Sequence, residues 1–326
     1  MSRQQQVAFV LGALAIAGLS MASCGNEVAE GVPIPEWAKV APEQIAEAKK
    51  HGVPVAFEND LGMRFVLIPA GTFRLADPGP GVEPASTGET SGNGEKRLGK
   101  RLKPLRAKAP GGEATVARPF YMQVTEVTGG QYVAVLRGSP SAGHDGSGGD
   151  ASRSPVAGLS REAAKAFAER IGCRLPTEAE WDRAAQGGVE GQAFPWGAED
   201  DAALRNGPGA EDGYERRAPV ASYPPNGYGL YDVLGNVWEY CSDKVVLEGI
   251  GAVDALPVLV VQTEEQRAAE GEPPKTSPLW IIRGGSWKRG SEGAGTSSRA
   301  ISSPYRIKGE IDVGFRLVSP LPEKGE

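Results

Sequence analysis

Histidine and cysteine are the chemistry-bearing residues this 326-residue chain has least of: two histidines, His51 and His144, and three cysteines, Cys24, Cys173 and Cys241. A hydrolytic triad needs a histidine beside a nucleophile on a shaped turn, and no Gly-x-Ser-x-Gly elbow occurs. A disulfide framework is excluded by count. Cys173 and Cys241 can form one bridge at most, and burial as two free thiols is the open alternative. Excess positive charge is missing too, since the formal charge is −6 at pH 7, which argues against general nucleic-acid binding. Neither an EF-hand spacing nor an internal repeat is present, so a self-contained calcium loop and a solenoid are both unexpected.

Glycine and proline are plentiful, at 45 and 26 residues, which predicts a turn-rich globular protein without long regular helices. The length allows one large domain, and we read a single domain with tails. Arg3, the apolar run Val7 to Ile16 and the small residues up to Cys24 follow the layout of a secretory signal, too short for a permanent membrane span. Leu19 to Cys24 resembles a lipobox, in which the cysteine is diacylated and becomes the new N-terminus; an ordinary secretion signal is the alternative. With Gly25 next, an outer-membrane, periplasmic or cell-surface anchor is expected. The division expected is 1–23 signal peptide, 24–59 tether, 60–320 folded domain and 321–326 tail.

The tether is punctuated by proline and holds one helical stretch, Pro42 to Lys50. Phe65 to Ile68, followed by Pro69-Ala70-Gly71, reads as a short buried strand ending in a turn. A Gly/Pro-rich insertion at about 77–115 is too poor in apolar residues to build a core. Its run of Lys96, Arg97, Lys100, Arg101, Lys103, Arg106 and Lys108 reads as a solvated basic loop, or as a contact with anionic lipid head groups or lipopolysaccharide. Gly138 to Ser154 is a second flexible stretch. Ser160 then caps a helix whose Ala163, Ala164, Phe167, Ala168 and Ile171 share one face. Thr177 with Glu180 forms a capping box for a second helix, with Trp181, Ala184 and Ala185 inward and Gly187-Gly188 ending it.

Six blocks in order then become specific. They are Arg174-Leu175-Pro176-Thr177-Glu178-Ala179-Glu180-Trp181, Phe194-Pro195-Trp196-Gly197, Pro225-Asn226-Gly227-Tyr228-Gly229-Leu230-Tyr231-Asp232, Gly235-Asn236-Val237-Trp238-Glu239-Tyr240, Arg283-Gly284-Gly285-Ser286-Trp287 and Gly314-Phe315-Arg316-Leu317-Val318. Over about residues 60 to 318 the chain resembles the formylglycine-generating-enzyme, or sulfatase-modifying-factor, family. The resemblance implies an α+β fold, a variant of the C-type lectin fold with little regular secondary structure, closed by pairing of its first and last strands. Physical chemistry gives most blocks a structural role first. Gly284-Gly285 lets backbone approach backbone, Trp287 fills the space beside it, and Trp181, Trp196 and Trp238 belong to the core.

The resemblance also implies structural Ca²⁺. One site falls on Asp232, Gly235, Val237 and Glu239, the middle two through carbonyls. A second falls on Asn206, Gly207, Asp212 and Tyr214, with Gly207 and Tyr214 giving carbonyls. Two carboxylates around a glycine-containing turn suit a hard cation; the alternative is that Asp232 shapes a turn and Glu239 pairs with an arginine.

Catalytic relatives oxidise a substrate cysteine with copper held by two thiolates just after the Gly-Gly-Ser-aromatic block. Here Trp287-Lys288-Arg289-Gly290-Ser291-Glu292-Gly293 stands at that place, and no cysteine follows Cys241. Soft thiolates suit Cu(I), so no copper is expected, and two histidines are too few for the histidine-ligated iron of related enzymes. The reading is a non-catalytic, lipid-anchored envelope protein that binds or assembles with an envelope protein, peptide or glycan, as some gliding-motility lipoproteins of the family do. Its rival is an oxidoreductase with an unrecognised site acting on a protein or small molecule. The ligand face is expected above Trp287, Arg289, Arg299 and Tyr305, which offer stacking and bidentate donors.

Overall fold

The computed structural model describes residues 32–76, 112–137, 152–209, 212–248, 258–262, 279–288, 295–302 and 311–322. Cys24 and the signal segment, the basic run, His144, Arg289 and Tyr305 lie outside the described residues. Among those described, no helix is long and apolar enough to cross a membrane.

Helix α1 (Pro42–His51) leads into strands β1 (Ala56–Glu58), β2 (Arg64–Ile68), β3 (Gly71–Arg74), β4 (Glu113–Val116) and β5 (Phe120–Gln123). Helices α2 (Gly129–Arg137), α3 (Arg161–Arg170) and α4 (Glu178–Gln186) follow. A stretch of loops and turns then reaches β6 (Trp238–Glu248), β7 (Val258–Gln262), β8 (Leu279–Arg283), β9 (Arg299–Ser302), β10 (Val313–Gly314) and β11 (Val318–Ser319). One sheet runs β1-β2-β5-β11 and a second β10-β6-β8-β9, with β7 beside β6; β3 and β4 make a separate hairpin-like pair. All pairings are antiparallel except β10 with β6. The last strand shares a sheet with the first, yet it pairs with β5 and not with β1 or β2, so closure runs through the middle of the chain.

The helical stretch expected from Pro42 forms α1, and the two helices with predicted caps carry them. Ser160 Oγ accepts from Ala163 N at 3.2 Å. Thr177 Oγ1 accepts from Glu180 N at 3.2 Å while Glu180 Oε2 accepts from Thr177 N at 2.8 Å, satisfying two amides that the helix leaves open. Gly187 ends α4 at φ +61°, where a Cβ would stand 2.7 Å from Gly227 N. Glycine is therefore required twice there, by backbone conformation and by the approach of the Asn226-Gly227 turn. The four apolar residues Phe65 to Ile68 are all buried because β2 is covered on both faces.

Residues 32–59 are not a tether. Gln44 is fully buried, and its Nε2 donates to Leu67 O at 2.8 Å and Tyr228 O at 3.2 Å. Arg64 stacks over Trp37, and β1 adds an edge strand to β2. A buried amide bonding two distant strands and loops fixes this segment to the domain. The C-terminal end of the expected insertion is likewise structured, since Glu113–Val116 forms β4 against β3. Leu321, expected in the tail, packs partly against the core.

Candidate functional site

Phe315 and Leu317 are fully buried, and the alternation of extended chain sends Arg316 to the opposite side, where it is also fully buried. There Arg316 Nε donates to Glu239 Oε2 at 2.7 Å and Nη2 to Glu239 Oε1 at 2.6 Å. Trp181 Nε1 donates to the same Oε2 at 2.7 Å. Remaining guanidinium protons reach Tyr231 O at 2.9 Å and, at 3.4 Å, Gln123 O and Val124 O. This bidentate pair ties β6, α4, the segment before β11 and the Tyr231 loop together, which accounts for a buried charge surviving in the core.

Two further carboxylates face this pair. Glu126 is fully buried, and neither of its oxygens has a hydrogen-bond partner. Burial, then the charge of Asp232, pushes its carboxyl well above the usual range. Asp232 sits at φ +52° in a turn. Its Oδ2 accepts from Ala221 N at 2.6 Å, whereas Oδ1 is buried without a partner. Burial pushes Asp232 up to about 7. Three carboxylates around one guanidinium leave an excess of negative charge in the interior, which only protonation or a cation can relieve. Glu126 was missed in the sequence; the available signal was one acidic residue set between Val124 and Val127 in an otherwise strand-like run.

The two sets of residues expected to hold calcium lie against each other. Asn206 and Gly235 form a parallel bridge, and Asn236 N donates to Asn206 O at 3.0 Å. Gly235 holds φ +82°, and a Cβ there would collide with the Asn206 carbonyl. In the first set, Asp232 Oδ1 is available while both Glu239 oxygens are engaged by Arg316 and Trp181. In the second, Asn206 Oδ1 is buried and without a partner. Asp212 closes its turn by accepting from Gly207 N at 2.8 Å and Tyr214 N at 2.9 Å. Each set thus retains an orphaned hard oxygen of the kind Ca²⁺ takes. A shallow cleft lined by Pro195, Trp196, Leu204, Pro225 and Asp232 lies beside the first set. Trp196, expected in the core, is half-buried in its wall.

On the Gly-Gly-Ser turn, Ser286 Oγ donates to Asp312 Oδ2 at 2.8 Å and Trp287 N to Asn236 O at 2.9 Å. Trp287 is half-buried with an indole N–H lacking an acceptor, and Lys288 is exposed. Arg299 does not offer the open donor expected of it: its guanidinium pairs with Glu178 on α4 at 2.6 Å. Cys173 and Cys241 are both free thiols. Burial pushes Cys173 up to about 11 and Cys241 well above its ordinary value, so neither is a ready thiolate.

The sulfatase-modifying factor enzyme 1-like domain matches residues 50–321, and the chain belongs to that family. It is 46% identical over 100 residues to a formylglycine-generating enzyme of Thermomonospora curvata, covering 27% of this chain and 33% of that protein. An inactive C-alpha-formylglycine-generating enzyme 2 of Bos taurus is 41% identical over 117 residues, covering 31% and 39% of the two chains. The matches thus span about a third of the length of these relatives. PvdO from Pseudomonas aeruginosa superposes with a TM-score of 0.58 at 24% identity, covering 82% of this chain and 98% of that one, a likeness of fold.

Proposed function

We propose that this chain is a non-catalytic member of its family, a lipid-anchored envelope protein whose domain acts in binding or assembly. The observation that carries the reading is the segment after Ser286, where no cysteine stands. The thiols that remain are buried or half-buried and held protonated elsewhere in the fold. A copper dithiolate has no donors on this turn. An inactive relative in the same family is compatible with a scaffold kept without the chemistry.

Calcium would be structural in this reading, with Asp232 and Asn206 giving side-chain oxygens and Gly235, Val237, Gly207 and Tyr214 the carbonyls assigned by the resemblance. Bound there, it would supply the positive charge that the Glu126, Asp232 and Glu239 carboxylates lack. The chain's own residues hold the loops: Asn236 ties residue 218 to the Trp287 turn, and Arg316 locks Glu239. Lipidation at Cys24 would place the domain at a membrane surface.

The test is to incubate the protein with copper and a cysteine-containing sulfatase peptide and to follow the peptide by mass spectrometry. Unchanged peptide is expected, and conversion of the cysteine to an aldehyde would refute the reading. Labelling with a radioactive fatty acid in cells should mark the wild-type chain and not Cys24→Ala; equal labelling would refute the anchor.

A further inference from the structure

Glu126 is the buried acid to which neither the family resemblance nor the packing of the core gives a task. Backbone bonds fix its place from both sides. Val124 O accepts from Tyr231 N at 2.9 Å, next to Asp232, and Val127 N donates to Phe315 O at 2.9 Å, next to Arg316. Arg316 spans the space between, its Nη1 donating to Val124 O and its Nη2 to Asp232 O, each at 3.4 Å. The charges that act on the Glu126 carboxyl are, in order of strength, Asp232, Arg316 and Glu239. Those that act on Arg316 are Glu239, Glu126 and Asp232. The four side chains therefore form one buried group.

Within this group the acids are used unequally. Glu239 is already held by Arg316 Nε, Arg316 Nη2 and Trp181 Nε1. Glu126 is 0% exposed with both oxygens unpartnered, and Asp232 keeps Oδ1 unpartnered. Glu239 neutralises Arg316, so the two carboxylates left over match the charge of one divalent cation. Protonation would remove the Glu126 charge, yet leave its O–H without an acceptor and its carbonyl oxygen without a donor. A cation satisfies both oxygens at once. Among the described residues no three acidic, histidine or cysteine side chains gather so as to hold a metal, in keeping with Glu239 being engaged by Arg316. A pair of carboxylates completed by backbone carbonyls is the donor set that remains.

We propose that Glu126, which lies outside the ligand set implied by the family resemblance, is a direct carboxylate ligand of the structural calcium, sharing it with Asp232 in place of Glu239. The proposal rests on the calcium reading put forward above and changes one of its ligands. Two anionic oxygens with neutral carbonyls beside them are a donor set that Ca²⁺ accepts, because its coordination is hard and geometrically tolerant. Arg316 is the fixed counter-charge that keeps Glu239 turned away. Glu126 lies between the end of β5 and the start of α2, so the ion joins that segment to the Asp232 turn.

The test is calorimetric titration of the chelator-stripped full chain with calcium chloride, wild type beside Glu126→Gln. The variant should lose affinity at one calcium site by at least about tenfold. Urea unfolding separates ligation from packing: in chelator the variant should be at least as stable as wild type, since the amide buries no charge, and added calcium should stabilise it less. Glu126→Asp keeps the charge but draws the carboxylate back by one methylene, and should also weaken calcium. It stands in if the amide variant does not fold. Undiminished affinity in whichever variant folds would overturn the ligand assignment and leave the calcium reading standing. A wild-type chain that takes up no calcium would overturn both, so the two failures are distinguishable.

Discussion

Asp232→Asn removes one buried negative charge with little disturbance, because asparagine tolerates the left-handed backbone at φ +52° and its side-chain oxygen can still accept from Ala221 N. The folded protein holds this carboxyl's proton more tightly than the unfolded chain does, with a value raised from 3.8 to about 7. A raised folded value means that unfolding free energy falls as pH climbs from the unfolded to the folded value, and is lowest above it. At roughly 1.4 kcal/mol per unit, the shift corresponds to on the order of 4 kcal/mol lost across that window. Glu126 and Asp243, both raised by burial, tilt the profile the same way. Urea unfolding with a chelator present should therefore find the wild type more stable at pH 5 than at pH 8, and Asp232→Asn should flatten the slope by gaining stability at pH 8. Added calcium should restore the wild type at pH 8 more than it does the variant. Equal slopes for the two proteins would refute the reasoning that a buried, uncompensated carboxylate governs this region.

Glu239→Gln breaks the bidentate, charge-assisted pair with the buried Arg316, which then faces only Glu126 and Asp232, and should cost about 1.5 to 3 kcal/mol in denaturant unfolding. Thr177→Ala opens the capping box of α4 and should cost about 1 kcal/mol, read the same way. Gly187→Ala forces a Cβ against the Asn226-Gly227 turn at a positive φ, and should lower the melting temperature by more than the capping variant. A thiol reagent at pH 8 should modify Cys173 slowly and Cys241 only after unfolding; rapid loss of both thiols from the native protein would contradict their burial.

The helices that begin at Ser160 and Thr177 were legible because a capping side chain and a 3.6-residue apolar stripe coincide there. Helix α2 was not, because Gly129-Gly130 opens it, although Thr128 and Gln131 form a capping box there, Thr128 Oγ1 accepting from Gln131 N at 3.2 Å and Gln131 Oε1 from Thr128 N at 3.1 Å. The N-terminal segment looked like a tether because its fixing contact, Gln44 to Leu67 and Tyr228, is polar and distant in sequence, which no local pattern reveals. In the same way the motif residues Asp232 and Glu239 stand out through the family resemblance, while Glu126 joins them only through tertiary packing. Arg299 reads as an open donor in sequence and is consumed by Glu178 in the fold.

Cuprous ion affinity tests the central claim most directly. Titrating the protein against a chromophoric Cu(I) chelator, with an oxygen electrode following a thiol peptide in parallel, should show the chelator keeping its copper and no oxygen uptake above the chelator blank. Tight withdrawal of Cu(I), abolished by substitutions around Ser286 to Lys288 and accompanied by thiol-dependent oxygen consumption, would contradict the account.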